Sequence, residues 1–105
     1  MTGPVSVTIT EQSGAGKVAL TITLDGVDSR CTLRDLIRTR VREEAARAGT
    51  GHGWEKQADK ALESFGRNGF FVLVGDRQVT DLDSTLELSA DTDIRFIRLV
   101  PLAGG

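Results

Sequence analysis

At 105 residues, with 39% apolar and 27% charged residues, the chain has the composition of one soluble globular domain with a modest core of its own. A formal net charge of −2 leaves no basic footprint for nucleic acid, no apolar run approaches membrane-spanning length, and Met1-Thr2-Gly3-Pro4 lacks the charged-then-apolar pattern of a signal peptide. The single Cys31 cannot form an internal disulfide, so the expected location is the cytoplasm.

Val5, Val7 and Ile9 alternate with Ser6, Thr8 and Thr10, which predicts a half-buried strand. Residues 12–16 are a turn cluster, after which Val18, Leu20, Ile22 and Leu24 alternate again, so a hairpin is expected. Gly14-Ala15-Gly16-Lys17 hints at a phosphate loop. However, Glu11 stands where that loop needs its first glycine, and a strand follows rather than a helix, so the stretch reads as a hairpin turn. Asp25-Gly26 is expected to turn the chain once more.

Thr32, with Asp35 three residues on, is a variant of the helix capping box. Leu33, Leu36, Ile37, Val41, Ala45 and Ala48 then share one helical face. Arg34, Arg38, Arg42 and Arg47 fall mainly off that face and read as a solvated surface, with a partner-binding patch as the other reading. Gly49 is placed to end the helix. Within 49–69, Trp54, Ala58, Ala61, Leu62 and Phe65 mark a shorter helix ended by Gly66, with Trp54 a packing residue. His52 and Cys31 have no metal-like spacing, and a nucleophilic pair of the two would have to be made by the fold.

Residues 70–74 form a short apolar strand, Gly75-Asp76 a turn, and residues 77–80 the return edge of a small hairpin. Asp81, Asp83, Asp91 and Asp93 lie in turn-rich sequence around Leu82, Leu86 and Leu88. Segment 76–93 holds six carboxylates and one arginine, which either serve its turns or rim a docking surface. A last strand runs over 94–100. Leu20, Ile22, Leu36, Ile37, Val41, Val72 and Ile97 are expected in one core between a mixed sheet and the main helix, an α+β fold.

The chain ends Leu99-Val100-Pro101-Leu102-Ala103-Gly104-Gly105. Pro101 has no N–H to continue strand pairing. Six residues from Val100 to Gly105 reach roughly 20 Å when extended, and glycine lets another backbone approach without a Cβ in the way. This suits the placing of a carboxylate in a narrow site, and apolar Leu99, Val100 and Leu102 are unlike a frayed polar end.

The order of elements, with Phe71-Val72-Leu73-Val74-Gly75-Asp76-Arg77-Gln78-Val79, Asp91-Thr92-Asp93-Ile94-Arg95-Phe96 and Pro101-Leu102-Ala103-Gly104-Gly105, resembles the ubiquitin-like β-grasp superfamily. Within it the chain is most similar to MoaD/ThiS-type sulfur carriers. It departs from them in lacking a glycine in Asp91-Thr92-Asp93 and in having one proline, Pro101, where many have two. The resemblance implies a mixed sheet on one main helix over 1–98. Segment 49–69 is then an insert carrying an additional short helix at a sheet edge or helix end, and 99–105 an extended tail.

It also implies that the chain is not itself an enzyme and binds no cofactor. An E1-like adenylating enzyme would use ATP to adenylate Gly105, gripping Gly104, Ala103, Leu102 and Pro101, while Phe96 and Leu99 present the partner surface. Sulfur from a sulfurtransferase or other sulfur source would replace AMP, leaving a thiocarboxylate on Gly105 for a downstream biosynthetic enzyme. No nucleic acid or membrane partner is implied, and the free protein is expected to be a monomer. Two rivals share the fold: a modifier joined through Gly105 to target lysines, and a non-conjugated interaction module. Ubiquitin-type tails usually carry basic residues before the glycines, which favours the carrier, and Lys17, Lys56 and Lys60 offer few acceptors for chain-building.

Overall fold

A computed structural model describes residues 3–13, 17–49 and 52–98. In chain order these form β1 (Pro4–Ser13), β2 (Val18–Asp28), β3 (Arg30–Thr32), α1 (Leu33–Arg47), α2 (Trp54–Gly66), β4 (Phe70–Val74), β5 (Arg77–Val79), β6 (Thr85–Glu87) and β7 (Asp93–Arg98). The fold is α+β. A five-stranded mixed sheet runs β2-β1-β7-β4-β5, and β3 and β6 make a separate two-stranded sheet. In the large sheet β1 and β7 are parallel, while β1–β2, β4–β7 and β4–β5 are antiparallel.

The β1–β2 hairpin follows its alternation. Val7 and Ile9 are buried, as are Ile22 and Leu24 opposite. The turn residues 14–16 lie outside the described residues; on either side of them Ser13 N donates to the Lys17 carbonyl at 2.9 Å. Asp25-Gly26 does not reverse the chain. Val5 pairs with Val27 and Val7 with Leu24, so an extra residue of β2 bulges opposite Ser6. Gly26 takes φ 70°, which a glycine adopts without Cβ strain, and β2 continues to Asp28.

Leu20 and Val18 also depart from expectation, at 42% and 58% exposed. Leu20 pairs with Glu11, whose carboxylate is met by the Arg40 guanidinium rather than by apolar side chains, so this end of the hairpin has no apolar layer to join.

Helix α1 starts as its capping residues require. The Thr32 hydroxyl accepts from Asp35 N at 3.1 Å. The Leu33 and Arg34 amides, which lack intrahelical acceptors, donate to the carbonyls of Ser84 (3.1 Å) and Leu82 (2.9 Å). The loop before β6 therefore closes the helix N-terminus. Gly49, at φ 73°, follows the C-cap Ala48 as expected. Ala48 itself is exposed, one turn beyond the sheet-facing stripe.

Helix α2 ends differently from expectation. Gly66 is still helical, and the left-handed residue is Asn68 at φ 61°, an amide side chain that tolerates this conformation. α2 lies against α1 and touches β4. Ala58 is fully buried, and Ala61, Leu62 and Phe65 pack against the central cluster. That cluster joins Val7, Ile9, Ile22, Leu24, Leu33, Leu36, Ile37, Val72, Ile94 and Phe96. Ile97, expected inside, points to the opposite face of the sheet and is half-buried, because β7 alternates and Phe96 takes the inward position.

Candidate functional site

Strand β7 sits in the middle of the sheet, between β1 and β4, and ends at Arg98, which pairs with Ser13 on one side and Phe70 on the other. Residues 99–105 follow it in sequence. The predicted tail residues Leu99, Pro101, Leu102, Ala103, Gly104 and Gly105 lie outside the described residues, so the site is built here from the sheet end that leads to them.

Phe96 does not form a partner surface. It is 4% exposed, its ring stacks on Phe70 at 5.6 Å, and Phe70 in turn meets Phe65 edge-on at 5.6 Å. On the outward face of the same strand end, Ile97 is directly opposite Phe71, and Leu73 is opposite Arg95 and Gln78. Phe71, Leu73 and Ile97 are half-buried and form no part of the apolar cluster beneath the sheet. This apolar trio stands beside Arg95, whose Nε–H donates to Asp93 Oδ2 at 2.9 Å. The period of two assigns the trio outward once Phe96 and Val72 are known to face inward.

The inward side of this end carries a charge cluster. Arg40 of α1 is 6% exposed and Glu11 of β1 is 7% exposed. An Arg40 Nη2–H donates to Glu11 Oε2, Nη1 is 3.0 Å from Glu44 Oε2, and Arg98 Nε is 3.6 Å from Glu11 Oε1. The Arg40 guanidinium lies 5.5 Å from the Phe96 ring centroid. Two opposite charges thus occupy stripe positions. Glu11 continues the inward series Val7 and Ile9, and Arg40 lies four residues after Leu36 on the buried face of α1. Pairing is the only arrangement that makes such burial tolerable.

The other arginines of α1 are tied down locally. Arg34 bridges Asp83 at 3.3 Å, Arg47 Nη2 donates to the Thr23 carbonyl at 2.7 Å, and Arg38 and Arg42 lie 5.2 and 5.9 Å from the Trp54 ring. Trp54 is half-buried under these guanidinium groups, as a packing residue. Among the acidic residues of 76–93, Asp83 and Asp93 pair with Arg34 and Arg95, and Asp81 serves a turn. Asp81 Oδ1 accepts from Asp83 N at 2.9 Å, and Ser89 and Thr92 close the turn before β7.

Burial, with help from Asp35 and then Asp28, pushes the Cys31 thiol from its ordinary 9.0 up to about 11. That keeps it protonated, the opposite of what a nucleophile needs. His52 is exposed in the loop before α2. Among the described residues no His, Cys, Asp or Glu group is placed to hold a metal ion, and no helix is long and apolar enough to cross a membrane.

No protein-family model, curated protein or solved structure matches this chain.

Proposed function

We propose that this chain is a β-grasp sulfur carrier, activated at Gly105 by an E1-like adenylating enzyme. The observation that carries the reading is the joining of one strand order to one sequence. A hairpin, a crossover through α1 and a second hairpin flank a central parallel pair, in the order β2-β1-β7-β4-β5, and the chain leaving central β7 reads on to Pro101-Leu102-Ala103-Gly104-Gly105. That order is the one a β-grasp requires, and the outward trio of Phe71, Leu73 and Ile97 stands beside the strand from which the tail departs.

In this reading a Gly105 carboxylate oxygen attacks the α-phosphorus of ATP in the activating enzyme, and pyrophosphate leaves. A carboxylate is a poor electrophile until it bears such a leaving group. A sulfurtransferase persulfide then displaces AMP from the carbonyl carbon, a thiol cleaves the resulting acyl disulfide, and the thiocarboxylate so released serves a biosynthetic enzyme. Gly104 and Gly105 admit the backbone to a tight channel. The sheet and α1 hold the tail's point of departure fixed, and the nucleotide chemistry belongs to the activating enzyme. The expected setting is the cytoplasm.

The test is an intact-mass spectrum of the protein purified from its own host, beside ATP–pyrophosphate exchange with the activating enzyme encoded near it. Exchange, with a mass ending at Gly105 and raised by one oxygen-to-sulfur replacement, supports the carrier. Covalent adducts with other proteins through Gly105 move the assignment to a ubiquitin-like modifier. Residues found beyond Gly105 in the mature protein, or exchange that proceeds with an uncleaved C-terminal tag, defeat both.

A further inference from the structure

Strand β2 is an edge of the five-stranded sheet: β1 pairs with one side of it, and no described strand pairs with the other. An open strand edge is a template for another strand, and proteins usually keep such edges short or guarded. β2 is long, and it carries both of the large apolar side chains that are exposed among the described residues, Val18 and Leu20. Its register with β1 shifts at Ala19 and again at Asp25-Gly26, which leaves Leu20–Leu24 as regular strand between two bulges. The Thr23 carbonyl opens away from β1, where it accepts from Arg47 Nη2 of α1 at 2.7 Å. The rest of the ladder requires this orientation. Gly75 N donates to the Asp93 carbonyl, so Asp93 faces β4; its β1 partner Thr8 then faces β7, and Thr23, opposite Thr8, faces the open edge. Thr21, two residues before it, faces the same way.

We infer that this edge is a self-association surface: β2 pairs antiparallel with β2 of a second copy, about a two-fold axis at Ile22, so that one continuous sheet runs through both copies. Thr21 of each copy then exchanges its backbone hydrogen bonds with Thr23 of the other, as an antiparallel ladder requires. Leu20 falls opposite the partner copy's Leu24, which covers a side chain that has no apolar layer in its own domain. Charge selects a second copy as the occupant. β2 is preceded by Lys17 and closes with Asp25 and Asp28, and neither Lys17 nor Asp28 has an ion pair among the described residues. Antiparallel self-pairing brings the positive end of each copy to the negative end of the other, whereas parallel pairing sets like charges together. The contact is self-complementary, as a two-fold interface must be. Arg47 guards it, because its guanidinium must leave the Thr23 carbonyl before the partner copy's Thr21 amide can take that place. The Arg47 side chain is 51% exposed, so the exchange gives up a surface hydrogen bond for ladder ones. A single strand pair is a small interface, and the dimer is a transient one. The monomer expected from the sequence is its dilute form. The surface uses no residue of the tail, and it stands independently of the sulfur-carrier reading.

The test is sedimentation equilibrium of the full chain from micromolar to millimolar concentration, beside amide hydrogen exchange by NMR at both ends of that range. The mass is expected to rise from 11.3 kDa toward twice that value, and the Thr21 and Thr23 amides to exchange several-fold more slowly in the concentrated sample. Leu20→Lys, a charge at an exposed edge position, should abolish the association while the dilute protein melts as the parent does. Lys17→Glu should weaken it several-fold, and Lys17→Glu combined with Asp28→Lys should restore it, since both positions are exposed and the pairing is reciprocal. Arg47→Ala, which removes the guard, should strengthen it several-fold. A monomer mass throughout the range leaves the edge to a strand of some other protein and overturns the proposal. So do concentration-dependent protection at β5 in place of Thr21 and Thr23, and Lys17→Glu associating as the parent does.

Discussion

Replacing Phe96 by alanine removes a ring that is 4% exposed, stacked on Phe70 and lying under the Arg40 guanidinium. Core Phe→Ala changes cost roughly 3–5 kcal/mol, the spread depending on how the site relaxes. The lower end, about 3 kcal/mol, is expected here, because the cavity beside the ring lets water reach Arg40 once the ring is gone. At roughly 4–8 °C per kcal/mol for a domain of this size, the melting midpoint should fall by about 12–24 °C. Ile97→Ala, one residue on and facing outward, removes a half-buried side chain outside the central cluster and should cost about 1 kcal/mol. Urea unfolding followed by Trp54 fluorescence, with thermal melts by circular dichroism, measures both. If Phe96→Ala melts within about 4 °C of the parent, or if Ile97→Ala is the more damaging of the two, the inward and outward assignments of β7 are wrong.

At the end of α2, Gly66→Ala should stabilise by about 0.4–1 kcal/mol, since the position is helical and a Cβ there meets nothing within 4 Å. Asn68→Val should destabilise, because a β-branched residue is forced to φ 61°; denaturant midpoints of the two variants shifting in the same direction would contradict this helix ending. Cys31 should alkylate far more slowly in the folded protein near neutral pH than in urea, with the folded rate rising toward about pH 11. Because the folded thiol is the weaker acid, its contribution to stability is intact below the unfolded value of 9.0 and is lost as pH rises toward about 11; iodoacetamide labelling at the unfolded rate would refute the shift. Gly104→Val should abolish ATP–pyrophosphate exchange with the activating enzyme while leaving the melting curve unchanged, since it lies beyond the core-forming strands; retained exchange would remove the narrow-channel requirement.

Local chemistry made much of this molecule legible in the sequence. Period-two apolar residues announced β1 and most of β2, Thr32 with Asp35 marked the start of α1, and Gly49 marked its end. These signals are legible because a cap, a strand alternation or a positive-φ glycine is set by a few adjacent residues. The β3–β6 pair was not, because three-residue strands carry too little periodicity to stand apart from turns. Asp25-Gly26 has turn composition, but pairing with β1 turned it into a bulge within a continuing strand.

The ion pair of Glu11 and Arg40 was half visible. Each breaks an apolar stripe with a charge, and the two signs are opposite, but only the packing of α1 against the sheet brings them together. Phe96 and Ile97 were likewise undecidable from a terminal run of mixed residues. A single-residue change of register exchanges every inward and outward side chain of a strand. The sequence alone determined where the two helices and the longer strands lie, and that the chain leads to Gly104 and Gly105. Only the tertiary structure, by fixing the register of β7 between β1 and β4, decided which residue near that end is core and which faces outward.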